Sequence, residues 1–399
     1  MLFTLEALQA KHGDSLLLHF GASSADPQLV VIDGGPAGVF KGSLRPRLDE
    51  LKARHSPDSP LPVRMAMLSH IDDDHVHGLL DLTDRLLELR NDGEEQPYRI
   101  ATLWHNSFDD ILKKAGASTA SVAPAVNALS TAAAASVAAD LGDGAMLAAL
   151  GLSQPAALIA ASVPQGRQLA DNAKQLKIEI NKQFGGDLVA APTKSSKTVK
   201  IAGLELRVLG PNQERLDALK DDWKKQLKKK PGAKGAELQA LAAEFLDKSV
   251  YNLSSIVVLA RFGGRTMLLT GDARGDDILG AVRRAGLLKQ GRMHVDLLKE
   301  PHHGSDRNVA TEFFRAITAD HYVISADGKH GNPDLPMLKM LTEARADDGE
   351  AYTIHMTNKL PEVDKFLRAE QAEGKNFTVV YRESAALSLR IDLGEALAS

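Results

Sequence analysis

The chain has no cysteine. Disulfides, thiolate zinc sites and cysteine nucleophiles are thereby excluded, and any metal must be held by His, Asp, Glu or water. No apolar run is long enough to cross a bilayer; the nearest, residues 145–163, is broken by Ser153, Gln154 and Pro155. Neither sign of charge dominates. Against 48 basic side chains stand 52 acidic ones, a formal net charge of −4, which argues against a protein that coats nucleic acid non-specifically. The first positive side chain is Lys11, so the start lacks the charged region of a secretory signal. A cytoplasmic protein that makes no membrane contact is the expectation.

What is present is enough apolar material, 44% of 399 residues, for one large domain with insertions or for two domains. Short, largely apolar runs at 15–20, 29–32 and 63–68 read as strands beside Gly and Asp turns. Leu79, Leu82, Leu86 and Leu89 follow with helical spacing, so 70–77 should be a loop between a strand and a helix. Residues 107–195 are alanine-rich and read as a helical insertion, either plain helix packing or a lid or dimer surface. From 196 strands resume at 204–209, 255–262, 266–269, 295–298, 321–325, 378–381 and 387–391. Helical patterns lie at 276–290, 308–318 and 334–346, and a charged helical insertion spans about 211–250. Its lysines, Lys224, Lys225, Lys228, Lys229 and Lys230, read as a solvated face or a phosphate-tracking patch. Alternation of strands and helices in both halves gives a layered α/β class.

The chemistry concentrates in three segments. His70-x-Asp72-x-Asp74-His75 packs four potential ligands into six residues at a strand end. Carboxylates so close resist ionising together unless a cation neutralises them. The alternative is a polar turn in which Asp72 or Asp74 caps the following helix. Thr270-Gly271-Asp272 puts a carboxylate at the end of an apolar run, as metal ligand or turn residue. Pro301-His302-His303-Gly304-Ser305 ends another strand with paired histidines, which core packing explains poorly.

These segments, with Gly13-Asp14-Ser15 and Ile32-Asp33-Gly34-Gly35 before them, resemble the metallo-β-lactamase fold. They are most similar to the soluble domain of the ComEC competence protein family, where His-x-Asp-x-Asp-His replaces the commoner His-x-His-x-Asp-His. The resemblance implies an α/β, four-layer αβ/βα sandwich with helical insertions. Its halves would be 1–106 and 196–399, separated by the 107–195 insertion. It also implies two divalent ions, zinc or manganese, the second position partly occupied. His70 and Asp72 would hold one ion, Asp74 and His75 the other, and Asp272 would bridge them. His302 falls at the late metal-binding histidine, while His303 would orient its neighbour or bind substrate. Two departures stand out. The usual mid-chain histidine is replaced by Tyr251-Asn252-Leu253-Ser254-Ser255, and Asn332 stands where a Gly-His-Pro histidine is expected, two residues after His330.

The implied activity is hydrolysis through a hydroxide shared by the ions, with phosphodiesters of DNA, RNA or nucleotides as the first substrate class. Asp74 would help carry the chemistry, and His303 or His330 would protonate the leaving group. Ser305, Lys299 and Asn252 would face the substrate. Two other readings stay open: a hydrolase of small esters, lactones or thioesters, and a non-catalytic metal-binding protein. In the latter the helical insertion would contact a partner or a second copy.

Overall fold

The computed structural model describes residues 1–107, 154–214, 255–346 and 348–397, with single positions between 110 and 131 and at 217, 221 and 225. Apolar runs punctuated by Gly, Pro and Asp turns form β1 (Leu2–Leu8), β2 (Leu16–Gly21), β3 (Gln28–Ile32), β4 (Leu61–Met67), β5 (Tyr98–Ile100), β6 (Thr102–Trp104), β7 (Glu179–Ile180) and β8 (Lys197–Ile201). Then come β9 (Leu204–Gly210), β10 (Val257–Phe262), β11 (Arg265–Leu269), β12 (Met293–Lys299), β13 (Ile317–Ile324), β14 (Tyr352–Met356), β15 (Phe377–Tyr381) and β16 (Ser388–Asp392). The helices are α1 (Arg45–His55), α2 (Asp73–Asn91), α3 (Gln154–Gln175), α4 (Gly275–Arg284), α5 (Thr311–Ala316), α6 (Leu335–Ala346) and α7 (Pro361–Ala372). Among the described residues no helix is long and apolar enough to cross a membrane.

The strands build two mixed sheets of eight. One runs β16-β1-β2-β3-β4-β6-β7, with β5 also on β4, and the other runs β15-β14-β13-β12-β11-β10-β9-β8. Both follow one plan. Antiparallel β1, β2 and β3 lead to β4, which is parallel to β3. Antiparallel β9, β10 and β11 lead to β12, which is parallel to β11. A parallel neighbour needs a crossover, and α1 and α4 supply it. Period-two alternation then sorts the side chains of the second sheet. Val258, Ala260, Met267 and Leu297 join Phe3, Leu18, Val30 and Met65 in a core between the sheets. Val257, Leu259, Leu268 and Leu298 face the other way, onto Ile278, Phe313, Leu338 and Leu367 of α4 to α7.

This arrangement sets strand ends from both sheets side by side. β3 leads into Asp33 and β4 into Ser69-His70, while β11 leads into Thr270-Asp272 and β12 into Pro301–His303. Cross-sheet hydrogen bonds tie these ends: Ile256 N–H donates to Ser69 O at 2.9 Å and Ser325 Oγ to Gly13 O at 2.7 Å. Loops at strand ends of α/β sheets are where rigid backbone can present reactive groups to solvent.

Several elements differ from the sequence expectation. The loop expected over 70–77 stops at Asp72, and α2 begins at Asp73. Asp73 and Asp74 occupy its first turn, where the helix dipole favours acids. Within 308–318 only Thr311–Ala316 is helical, because Ile317 onward pairs with β12 as a strand. The chain's last strand, β16, returns to the first sheet against β1. In the alanine-rich stretch α3 packs on α2; most of 108–153 lies outside the described residues, as do Asn252 and the lysine run except the exposed Lys225.

Candidate metal centre

The first half of the site is built on two glycines. The first turn of α2 docks on the loop after β3, with Gly34 N–H donating to His75 O at 2.7 Å and Gly78 N–H to Gly35 O at 3.2 Å. A Cβ on Gly34 would sit 2.1 Å from Leu79 N, and one on Gly78 would sit 2.0 Å from Gly34 O. No side chain fits at either place. The contact buries His75 beside Asp33, whose Oδ2 lies 3.0 Å from His75 Nδ1. Ser69 holds that carboxylate in turn, donating from its N–H at 2.6 Å and from its hydroxyl at 2.5 Å. Asp72 occupies the N-cap position of α2, yet its side chain makes no capping hydrogen bond. Its carboxylate lies beside the His70 ring instead.

The second half rests on an unusual turn. His302 and His303 both take left-handed backbone, with φ of 47° and 55°. Such a conformation costs an L-residue about 1–3 kcal/mol and concentrates at functional sites. Here it turns two consecutive imidazoles toward Asp272. The Asp272 backbone is fixed by its N–H donating to Ser255 Oγ at 2.6 Å, and β11 and β12 are joined by Thr270 Oγ1 donating to Lys299 O at 2.6 Å.

Around Asp272 the side chains converge. Its Oδ1 lies 3.2 Å from His75 Nε2 and 3.7 Å from His303 Nε2, and its Oδ2 lies 3.8 Å from His302 Nε2. Asp74 Oδ2 is 3.2 Å from His303 Nε2, and Asp74 Oδ1 is 3.8 Å from His75 Nε2. Asp14, His75, Asp272 and His303 each offer a ligand atom within 4.8 Å of the others, a grouping able to hold a metal ion.

Hydrogen-bond partners fix the tautomers of the two buried histidines. The His75 Nδ1 faces a carboxylate, and the His303 Nδ1 faces the Ser325 carbonyl at 3.0 Å. Both partners only accept, so each Nδ1 carries the proton and each neutral ring leaves an Nε2 lone pair. Those lone pairs point at carboxylate oxygens. The buried atoms His75 Nε2, His303 Nε2 and Asp272 Oδ1 accordingly have no hydrogen-bond partner. Acceptors facing acceptors in a buried place are costly unless a cation lies between them. The donors are all N and O, which suits borderline or hard ions. An outer partner on the far ring nitrogen is the usual way a metal-binding histidine is oriented.

Protons can supply part of that positive charge. Burial alone would lower the His75 pKa, but Asp272, Asp74 and Asp33 outweigh it and hold it well above the ordinary value. His303 is pushed up to about 10, with Asp14 and Asp272 overcoming its burial. Asp74 shows the converse: burial resists its charge, yet His75 and His303 lower it to about 2. Asp272 also falls well below the ordinary carboxylate range, its burial outweighed first by His75 and then by His302 and His303.

His70 lies beside Asp72, Nδ1 to Oδ2 at 3.3 Å, with its ring 5.9 Å from that of His75. Lys299, expected on the substrate side, is instead 1% exposed beneath the cluster; its Nζ is 2.8 Å from Asp14 Oδ2 and donates to Glu300 O at 2.9 Å. Ser305 is buried and closes the histidine turn through its N–H to His302 O at 3.0 Å. His330 is exposed, and its ring meets that of His12 edge-on at 5.0 Å. His77 pairs with Asp73 outside the cluster.

Asp14 and Asp33 belong to segments that carry the family resemblance, but the sequence assigns neither a place in the site. The signal was available: each is an aspartate next to glycine in the same run of strand-end turns that carries Asp272. A scan against protein-family models and a search of curated proteins return no match for this chain.

Proposed function

We propose that the chain is a metallohydrolase of the metallo-β-lactamase type that holds two divalent ions, zinc or manganese, and cleaves phosphodiester bonds in nucleic acid or nucleotides. The observation that carries this reading is the division of Asp272: Oδ1 faces His75 and His303, and Oδ2 faces His302. One carboxylate thus serves two groups of donors. Asp74, His75 and His303 form the buried group. His302 forms the open group; His70, which pairs with Asp72, also feels the charge of Asp272.

When bound, a pair of such ions supplies Lewis acidity to a phosphoryl oxygen and a nucleophile available near neutral pH. The chain's own residues do the rest. Asp33 and Ser325 O hold the buried imidazoles in the tautomer that leaves Nε2 free. Lys299 keeps Asp14 ionised behind them. His302, 44% exposed at its side chain, marks the side from which substrate would enter. The choice of phosphodiester rests on the family resemblance and on the carboxylate-rich donor set.

Metal analysis of the purified chain, followed by cleavage assays on DNA, RNA and a chromogenic phosphodiester with added manganese or zinc, tests the reading. Stoichiometric metal and metal-stimulated cleavage, both lost in a folded Asp272→Asn variant, are expected. Only traces of transition metal after growth with both ions would sink the claim. Activity confined to esters or lactones would replace the substrate class, and bound metal with no hydrolysis would point to a binding role.

A further inference from the structure

The two buried imidazoles have outer partners that fix their tautomers; the exposed His302 needs one more, since solvent would otherwise let its ring turn. Its Nδ1 lies 2.9 Å from Asn308 Oδ1. The same amide reaches back across the site, with Nδ2 donating to the Asp272 backbone carbonyl at 3.3 Å. That second bond settles which way the amide lies. The Asp272 carbonyl can only accept, so the NH2 group must face it and the amide oxygen must face His302. An oxygen there requires a proton on His302 Nδ1, which leaves the Nε2 lone pair directed at Asp272 Oδ2, 3.8 Å away.

Asn308 is itself anchored. Its N–H lies 3.4 Å from Ser305 O, and its carbonyl accepts from Gly275 N–H at 2.7 Å, at the start of α4 just after Asp272. One half-buried side chain therefore joins the histidine turn after β12 to the aspartate after β11.

We propose that Asn308 is a positioning residue for His302, holding it in the tautomer and orientation that present Nε2 to the open side of Asp272. The ligand role it serves rests on the proposed function; the tautomer does not. Loss of an outer partner of this kind typically weakens metal binding by about 10–100-fold.

The test uses the full chain labelled with 15N at histidine. Long-range 1H–15N spectra of the metal-free protein report which ring nitrogen of His302 carries the proton, and a zinc titration of the same samples reports affinity. Wild type and Asn308→Asp, which keeps an acceptor opposite Nδ1, are expected to show the Nδ1–H form. Asn308→Leu should shift toward Nε2–H and bind the weaker zinc equivalent about 10–100-fold less tightly, with the tighter one unchanged. Should Asn308→Leu fail to fold, Asn308→Ser, too short to reach the ring, takes its place. A folded variant with the wild-type tautomer and both affinities unchanged overturns the inference. Absence of zinc binding by the wild type would instead remove the proposed function, while the tautomer spectra still decide the role of Asn308.

Discussion

His303 and His302 are neighbours in sequence, share a left-handed backbone and face the same carboxylate, yet their surroundings are opposite. The His303 side chain is 3% exposed and flanked by Asp14, Asp74 and Asp272, whereas that of His302 is 44% exposed and held by one neutral amide. His75, fully buried between Asp33 and Asp272, matches His303 from the other sheet. The contrast suggests a division of labour. The buried pair cannot stay uncompensated, because its facing acceptors have no water to turn to. The exposed histidine can exchange its partner for solvent at modest cost. A tightly held inner cation and a readily exchanged outer one follow as expectation.

The largest break in that comparison should come from substituting the two histidines in parallel. His303→Gln is expected to lose all stoichiometric metal and at least about a hundredfold in affinity, beyond what an outer partner alone costs. His302→Gln should retain one equivalent. Equal losses, read by metal analysis after dialysis, would erase the distinction.

A smaller effect tests the scaffold beneath His75. Gly78→Ala must move backbone, because its Cβ would lie 2.0 Å from Gly34 O. A stability loss of about 1–3 kcal/mol is expected from such overpacking, together with weakened metal binding. His77→Ala, one residue earlier but outside the cluster, should stay within about 0.5 kcal/mol of wild type by denaturant melting. Equal effects of the two substitutions would show that the glycine contact does not position His75.

A different kind of effect is on pH dependence. Burial works against charge on His303, but Asp14 and Asp272 raise its folded pKa from 6.5 to about 10. A raised value means that the associated stability is fully present below about pH 6.5 and is lost as pH climbs through about 10. The metal-free chain should therefore weaken over that interval, as seen in denaturant midpoints with a chelator present. Metal in place of the protons should flatten the decline, and metal affinity should fall as pH drops because protons compete for the same lone pairs. A metal-free midpoint that rises with pH would contradict the assigned charge on the buried histidines.

Much of this site could be read from the chain alone, since acids, histidines and glycines interrupt otherwise apolar strands. His70, Asp72, Asp74, His75, Asp272 and His302 stood out because a core has no use for them. Asp14 and Asp33 lie in segments that carry the resemblance, but an aspartate beside a glycine is also ordinary turn chemistry; only the fold sets them behind His303 and His75. Asn308 carried no signal at all, since its role depends on the space between two turns 36 residues apart. Among the elements, β1, α1, β5, β6, β14 and α7 carry no reading in the sequence analysis; β14 and α7 show why. Tyr352–Met356 carries His355 among its apolar residues, and Pro361–Ala372 shows few apolar side chains before its partners are known. The start of α2 was misplaced because Asp73 and Asp74 look like loop until the helix dipole is counted.

The pairing of β1 with β16 has a consequence for how the molecule comes into being. Thr4 is registered on Asp392, and their side chains share a hydrogen bond of 2.6 Å. Contacts spanning nearly the whole sequence slow folding, because the chain must close its largest loop before they contribute. During synthesis β1 can complete only one of its two edges until residues 388–392 have emerged. A ribosome-bound or truncated chain would thus display an open strand edge of the kind that recruits other strands. Aggregation of nascent or clipped chains, and dependence on chaperones early in life, should be more sensitive to changes in β16 than is the chemistry of the finished protein.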